Sequence, residues 1–518
     1  MSRLRTQAAI VKGSKYSLGY NAVDDTTKRR HTVSKTTPEV SILTPQKRER
    51  ASATTRDDRR NMSILAWMIR RHLDNVSRFT PHFRISSSTP EGAAEISEIN
   101  TAVNKMLAWH ARRKQFDALG RHGRDEYMRM FEACKVIEGD CGSLKVAGGK
   151  SQGIEGDRIK KPSASAAADK TDPKTWANVT DEGLTFNEDG SRKEFCVCKR
   201  EKNNLVFERL VSDEDMIFDA YWPERFDSNR GVSPLLTALN EGADVRETWE
   251  WLVLKAKASA LFGLAFTRTS SDDIFPTQGD PNTSSPANEA AAYTTQVTDA
   301  IKSRGLINLD LDPGDTVSEI QSNTPNPNVI GFTRELIRSI LLSIDIPFTF
   351  YDSLTASFSA RIADRNEYEE SCEWKRAKNQ DVLAEIYDWN IEMWAEADLL
   401  GFGTVLKSAK LTPEEIAASL RWVPAGRPWL DRSNEMSGHI LALAAGVTST
   451  PRICAAYGDD AYKIAEEQKE YLATAGIPLL YAQGGQVPVN DLLKQAREGQ
   501  LPEPQTDEVD NERGDTDE

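Results

Sequence analysis

Apolar positions begin to recur at helical spacing near residue 61, where Ile64, Leu65, Met68, Ile69 and Leu73 fall on one face and predict a helix. A second helix is expected through Met106, Trp109 and Phe116, and a third over residues 124–138, ended by Gly139-Asp140. Strand-like residues 143–146 follow that turn. Residues 148–173 are rich in Gly, Ala, Ser and Lys without an apolar period, and read as a flexible insertion. Residues 194–200 and 205–210 read as a hairpin turning at Asn203-Asn204, and residues 216–221 as one more strand.

The pattern then changes. Ser233-Pro234 opens a helix, Ser as the cap and Pro in the first turn, carried to about residue 262 by Leu235, Leu239, Trp249, Leu252 and Val253. A polar stretch, 268–292, interrupts it. Short strands at 305–309 and 315–320 bracket the turn Asp312-Pro313-Gly314. A helix over 330–343 stops before Pro347, a loop spans 348–357, and the longest helix runs over 359–400. Val382, Ile386, Trp389 and Met393 mark its apolar stripe, and its length would be about 60 Å at 1.5 Å per residue. Short helices are expected over 434–445 and 459–473.

Charge divides the chain further. Residues 1–60 hold Lys28, Arg29, Arg30, Lys47, Arg48, Arg50, Arg56, Arg59 and Arg60 with few large apolar groups, and read as a basic flexible arm. The end of the chain is acidic: Glu503, Asp507, Glu508, Asp510, Glu512, Asp515, Asp517 and Glu518 face only Arg513, and residues 491–518 read as a disordered tail. The net charge of −14 argues against a tight DNA binder, which needs basic surface to neutralise phosphates. It leaves room for a surface past which DNA slides. No apolar run is long enough to span a bilayer, the start of the chain lacks a signal-peptide centre, and no membrane partner is expected. Six cysteines in 518 residues make no disulfide framework, which fits folding in a reducing cytoplasm. Cys196 and Cys198 are expected as structural thiols on opposite faces of a strand, because no second pair or close histidine completes a zinc site.

Motifs for chemistry fail on inspection. Gly148-Gly149-Lys150-Ser151 lacks the earlier glycine and the following helix start of a phosphate loop. Asp272-Asp273 and Asp459-Asp460 read as solvated pairs. Trp249, Trp251, Trp374, Trp389 and Trp394 read as core or interface anchors. No catalytic, cofactor or metal site is expected.

One long run carries a resemblance. Tyr221-Trp222-Pro223-Glu224-Arg225-Phe226-Asp227-Ser228-Asn229-Arg230-Gly231-Val232-Ser233-Pro234-Leu235-Leu236 resembles the segment of lambda-type tailed-bacteriophage portal proteins in which a P-x-R core leads into R-G-V and a long helix. Glu138-Gly139-Asp140, Leu311-Asp312-Pro313-Gly314-Asp315, Ile346-Pro347, Ser357-Phe358-Ser359-Ala360-Arg361 and residues 422–446 agree in order with that family. The resemblance covers about residues 61–473, residues 148–173 departing from it.

The resemblance implies an α+β portal fold: an α/β wing (61–232), stem helix one (233–266), a small α/β clip (267–328), stem helix two (329–347), a tunnel loop (348–358), a long wing helix with its return (359–423) and a helical crown (424–490). It implies a homo-oligomeric ring of twelve copies at the capsid vertex, assembled in the bacterial host cytoplasm. Double-stranded DNA would pass through it. The terminase large subunit, head-completion or adaptor proteins, and the major capsid protein with its scaffold would dock on it. Ser353, Thr355, Ser357 and Ser359 of the loop, with Lys255 and Lys257 of the first stem helix, are the DNA-channel candidates. The rival readings are another capsid or adaptor protein and a DNA-processing enzyme.

Overall fold

In the computed structural model, residues 38–85, 93–162, 173–201, 204–223, 225–261, 264–268, 315–319, 327–354, 356–426 and 431–475 are described. The chain is a mixed helix-and-strand protein. After a single helical turn at Glu39–Ile42 come α1 (Pro45–Asn61) and α2 (Ser63–Val76), then β1 (Phe79–Phe83), α3 (Ala93–His110), a turn at Arg113–Phe116 and α4 (Arg124–Glu138). Strands β2 (Asp140–Val146), β3 (Lys150–Glu155), β4 (Leu184–Phe186), β5 (Arg192–Glu201), β6 (Asn204–Ser212) and β7 (Met216–Ala220) follow. Next come α5 (Leu239–Leu261), β8 (Leu264–Arg268), β9 (Asp315–Glu319), α6 (Pro327–Leu342) and α7 (Phe358–Glu396). The chain continues with α8 (Phe402–Ala409), α9 (Pro413–Ser419), β10 (Leu420–Pro424), α10 (Arg432–Ala444), α11 (Thr450–Ala456) and α12 (Ala461–Ala475).

Among the described residues four small sheets form, all antiparallel: β1 with β10, β3-β2-β7, β4-β5-β6, and β8 with β9. Two large cores carry the body. One gathers Phe116, Tyr127, Tyr387, Trp394 and Phe402 around the second half of α7. The other joins α2 and α4 to the inner ends of α5 and α6 through Met68, Ile69, Val136, Val245, Ile340 and Leu341. Among the described residues no helix is long and apolar enough to cross a membrane.

Several expectations need correction. The basic arm does not extend to residue 60: Pro45–Asn61 is helical. The insertion expected over 148–173 begins with β3, which pairs along the whole of Cys141–Val146 and buries Ile154; residues 163–172 lie outside the described set. Strand β9 pairs with Leu264–Arg268, a strand the sequence pattern did not reveal; residues 305–309 and the turn at 312–314 lie outside the described set. The long helix stops at Glu396, before Asp398, Leu400 and Gly401 take left-handed φ values of 46°, 56° and 79°. At 39 residues it is about 58 Å long. Cys196 and Cys198 are both fully buried and lie close together rather than on opposite faces, and the Cys198 thiol donates to the Lys160 carbonyl (3.4 Å). All six cysteines are free. Of the five tryptophans, Trp394 is a core anchor, whereas Trp251 and Trp374 stand half exposed or more.

Candidate functional site

A short 3-10 helix, Pro234–Ala238, starts where Ser233 ends an extended segment and leads directly into α5. The Ser233 hydroxyl accepts from the Leu235 N–H (3.2 Å) and donates to the Val136 carbonyl (2.6 Å), so one side chain caps the new helix and ties it to α4. The start is anchored by Arg230, which is 2 % exposed. Its five N–H groups all donate: two to the Asp140 carboxylate (2.7 and 2.8 Å), the others to the carbonyls of Ile159, Glu182 and Gly156. Burial alone would raise the Asp140 carboxyl, but the Arg230 and Arg48 guanidiniums and the Gly231 N–H hold it below its ordinary value. Gly139 and Gly231 touch here. A Cβ on Gly139 (φ 98°) would meet the Gly231 carbonyl at 2.7 Å, and one on Gly231 would meet the Gly139 carbonyl at 2.1 Å. The two motifs Gly139-Asp140 and Arg230-Gly231 are therefore one structural joint, 90 residues apart in sequence.

Beside this joint lie the carboxylates of Glu138, Glu155 and Asp157, within 4.8 Å of one another, an arrangement the sequence did not reveal. Two guanidiniums already occupy them: Arg56 of α1 on Glu138 and Glu155, and Arg200 of β5 on Glu155 and Asp157. Burial and the neighbouring Asp157 lift the Glu138 carboxyl to about 7, against the pull of Arg56. The cluster is a clamp of three carboxylates and two guanidiniums that holds α1 to the sheet.

From the joint, α5 runs outward, β8 and β9 pair, and α6 returns alongside α5 to the second core. The inner part of α5 buries Val245. Its outer turns differ: Trp249, Trp251, Leu252, Val253 and Leu254 wrap the full circumference of the helix. Trp251 is 62 %, Val253 51 % and Leu254 55 % exposed. On α6, Ile330 and Phe332 are likewise exposed. Exposed apolar side chains gathered on neighbouring turns beside a packed helix mark a surface suited to burial against another chain.

The loop between α6 and α7 is held at its base. Arg334 pairs with Asp352 at 3.1 Å, the Arg338 guanidinium lies 5.2 Å from the Phe348 ring centroid, and Tyr351 meets Trp67 edge-on at 6.1 Å. Past that base several side chains are exposed. Ser353 is exposed; Ser357 caps α7, its hydroxyl accepting from the Ala360 N–H (3.2 Å); Ser359 is exposed in the first turn. Thr355 lies outside the described residues. The loop is not uniformly small and polar, because Tyr351, Leu354 and Phe358 are also exposed. Lys255 is exposed on α5, and the Lys257 side chain lies outside the described set. The four described candidates thus divide between two places, the loop and the outer part of α5.

A buried polar network fixes α7 behind the loop. Glu132 accepts from His72 Nε2 (2.9 Å), the Tyr221 hydroxyl (2.5 Å) and Asn379 Nδ2 (3.1 Å), and lies 2.9 Å from Lys135 Nζ. Burial opposes its charge, yet Lys135 and these donors hold its carboxyl well below the ordinary range.

The family model described as phage portal protein, lambda family, matches residues 26–375. No curated protein sequence matches the chain. Similar solved structures include the neck of a native gene transfer agent particle computed with C12 symmetry, at 12 % identity over 76 % of this chain and 89 % of that one, with a TM-score of 0.40. The neck of the empty particle computed with C6 symmetry gives 12 % identity, 78 % and 93 % coverage, and 0.41. An HK97 family phage portal protein from Corynebacterium diphtheriae gives 12 % identity, 60 % and 83 % coverage, and 0.29. Overlaps this loose fix neither the arrangement of elements nor the number of copies.

Proposed function

The chain belongs to the lambda family of phage portal proteins, and on that premise we propose that copies of it close into a ring of about twelve at the capsid vertex, with α5 and α6 as the stem lining a DNA channel. The observation that carries this reading is the apolar girdle of α5. Trp251, Val253 and Leu254 face outward in a single copy, and neighbouring copies would bury them. A ring needs two different faces on each subunit, and a helix pair with apolar surface on both flanks supplies them.

In this reading residues 267–328 form the clip that meets the terminase motor during packaging and head-completion proteins afterwards. Residues 61–232 and α7 form the wing, and residues 424–490 the crown inside the shell. The loop of residues 348–358 points into the channel, where Ser353, Thr355, Ser357 and Ser359 exchange hydrogen bonds with passing phosphates. Lys255 and Lys257 offer a few charged contacts. Twelve copies at −14 make a strongly negative body, so DNA is held weakly along most of the path and slides. The chain itself does no chemistry: the work comes from an ATPase docked at the clip. The major capsid protein and scaffold would contact the wing, and assembly would take place in the host cytoplasm before the ring joins the virion.

The test is a pair of charge insertions, Trp251→Glu and Leu254→Glu, read by sedimentation velocity. Buried aromatic anchors contribute about 2 kcal/mol or more each at an interface, so the variant should sediment as monomers with an unchanged circular dichroism spectrum. Rings of undiminished stability would remove the girdle from the subunit interface.

A further inference from the structure

Residues 111–123 form a closed loop on the body of the protein. Its ends are joined by the Arg124 N–H donating to the Ala111 carbonyl (3.1 Å), and its middle is pinned by the Ala118 N–H on the Ser151 carbonyl (3.0 Å). Space at Gly120 and Gly123 is bounded by Lys114, Arg113 and Ala111, so the two limbs of the loop lie against each other. Four exposed cations share this small surface: Arg112, Arg113, Lys114 and Arg121. None has an ion-pair partner among the described residues. The only carboxylate within the loop, Asp117, is 5 % exposed and is spent on the backbone N–H groups of Arg121 (2.7 Å) and His122 (3.3 Å).

Beside the cations is a cavity of about 450 Å³ lined by Leu119, Arg121, Tyr127, Met130 and Phe131 among others. Leu119 is 63 % and Met130 44 % exposed at its mouth. The lining also includes Glu155, which is paired with Arg56 and Arg200, so the four cations and the apolar mouth define the occupant's chemistry. It must carry several negative charges and at least one apolar side chain. A DNA backbone meets the first requirement and leaves Leu119, Met130 and the cavity uncovered.

The protein contains a segment with both properties. Residues 501–518 hold Glu503, Asp507, Glu508, Asp510, Glu512, Asp515, Asp517 and Glu518 against one arginine, with Leu501 and Val509 among them. The described chain ends at residue 475, and the 43 residues 476–518 reach at most about 140 Å when extended. We propose that the basic loop 111–123 and its cavity hold the acidic segment 501–518 of this protein. The docking would be electrostatic in strength and apolar in register, and it would mask the loop until a stronger polyanionic competitor or high salt displaces the segment.

A photocrosslinking amino acid placed at Leu119 of the full-length chain tests this, with crosslinked peptides identified by mass spectrometry. The expected product joins position 119 to residues 501–518. Its yield should fall by about fivefold or more between 0.05 and 0.5 M salt, and similarly in the chain that also carries Arg112→Glu, Arg113→Glu and Arg121→Glu. Sedimentation of each protein separates loss of docking from loss of folding, and the salt series needs no charge substitution. A crosslink to any other part of the chain or of a neighbouring copy overturns the proposal. So does transfer of the label to added duplex DNA with none to 501–518, the absence of any crosslink at low salt, or a yield that ignores both salt and the charge reversals.

Discussion

Arg230 shows how much a single side chain settles in this protein. Taking a guanidinium and a carboxylate out of water costs several kcal/mol per ion, and only complete hydrogen bonding offsets it. Arg230 achieves that by matching each donor to an acceptor. Lysine has three donors on a point charge and cannot reproduce the fork. Arg230→Lys should therefore lower the unfolding free energy by about 3 kcal/mol in urea titrations, and loss below about 1 kcal/mol would deny the joint its role. His110 gives a pH test. Its ring is buried among Phe116, Tyr387 and Trp394, and Nε2 donates to the Gly149 carbonyl (2.8 Å). Burial depresses its pKa from 6.5 to about 4. Above pH 6.5 folded and unfolded chains both hold the ring neutral. Below it the unfolded chain protonates first, so stability is lost as pH falls from 6.5 toward 4, by about 3 kcal/mol from this residue. Glu138, raised to about 7, acts oppositely: its contribution is full below its ordinary 4.5 and is lost as pH rises through 7. Comparing wild type with His110→Gln isolates the histidine: the difference in stability should change across pH 4–6.5 and stay flat from pH 7 to 8.

At the scale of elements, helix ends are where backbone geometry and residue type disagree. Lys410 closes α8 in the left-handed region (φ 56°) with an exposed side chain. A non-glycine there costs about 1 kcal/mol, so Lys410→Gly should stabilise the chain by up to that amount, read as a raised urea midpoint. Which elements were legible in sequence follows from what holds them. Residues 124–138 were readable because Asp125 and Glu126 open the helix, Gly139 closes it and the apolar face is periodic. The helix pair around the 268–328 stretch announced itself by the Ser233-Pro234 start and the stop before Pro347, whereas α7, read from about Ser359, is capped by Ser357. Helix α1 was invisible because it buries only Ser52 and Thr55 and is held by Arg48 and Arg56 reaching the joint; a hydrophobic period cannot report a polar docking. Strand β10 pairs with β1 across more than 300 residues, and β8 with β9 across about 50, so neither register had a local signal. Of the candidate site, Ser353, Ser357, Ser359 and Lys255 are exposed, which says nothing of what they face in an assembly, and the girdle on α5 needed the structure. Only there does it become clear that Trp251, Val253 and Leu254 each stand more than half exposed.

The whole molecule is organised around that uncovered surface. An isolated copy leaves Trp251, Val253 and Leu254 of α5 more than half exposed, Leu354 and Phe358 of the loop in the open, and two helices, α10 and α11, with no buried residue. These features fit one subunit of a closed assembly. The loop gives a functional prediction at this scale: removing residues 352–356 should leave rings intact in micrographs while genome retention, measured as DNA per particle, falls at least tenfold. The central claim is that neighbouring copies bury the α5 girdle around a DNA channel. A single-particle reconstruction of the purified full-length protein tests it most directly. We expect a closed ring of about twelve copies, with α5 and α6 around the bore and Trp251, Val253 and Leu254 packed against the next subunit. Monomers persisting at high concentration, or a ring in which those three side chains stand in solvent, would contradict it.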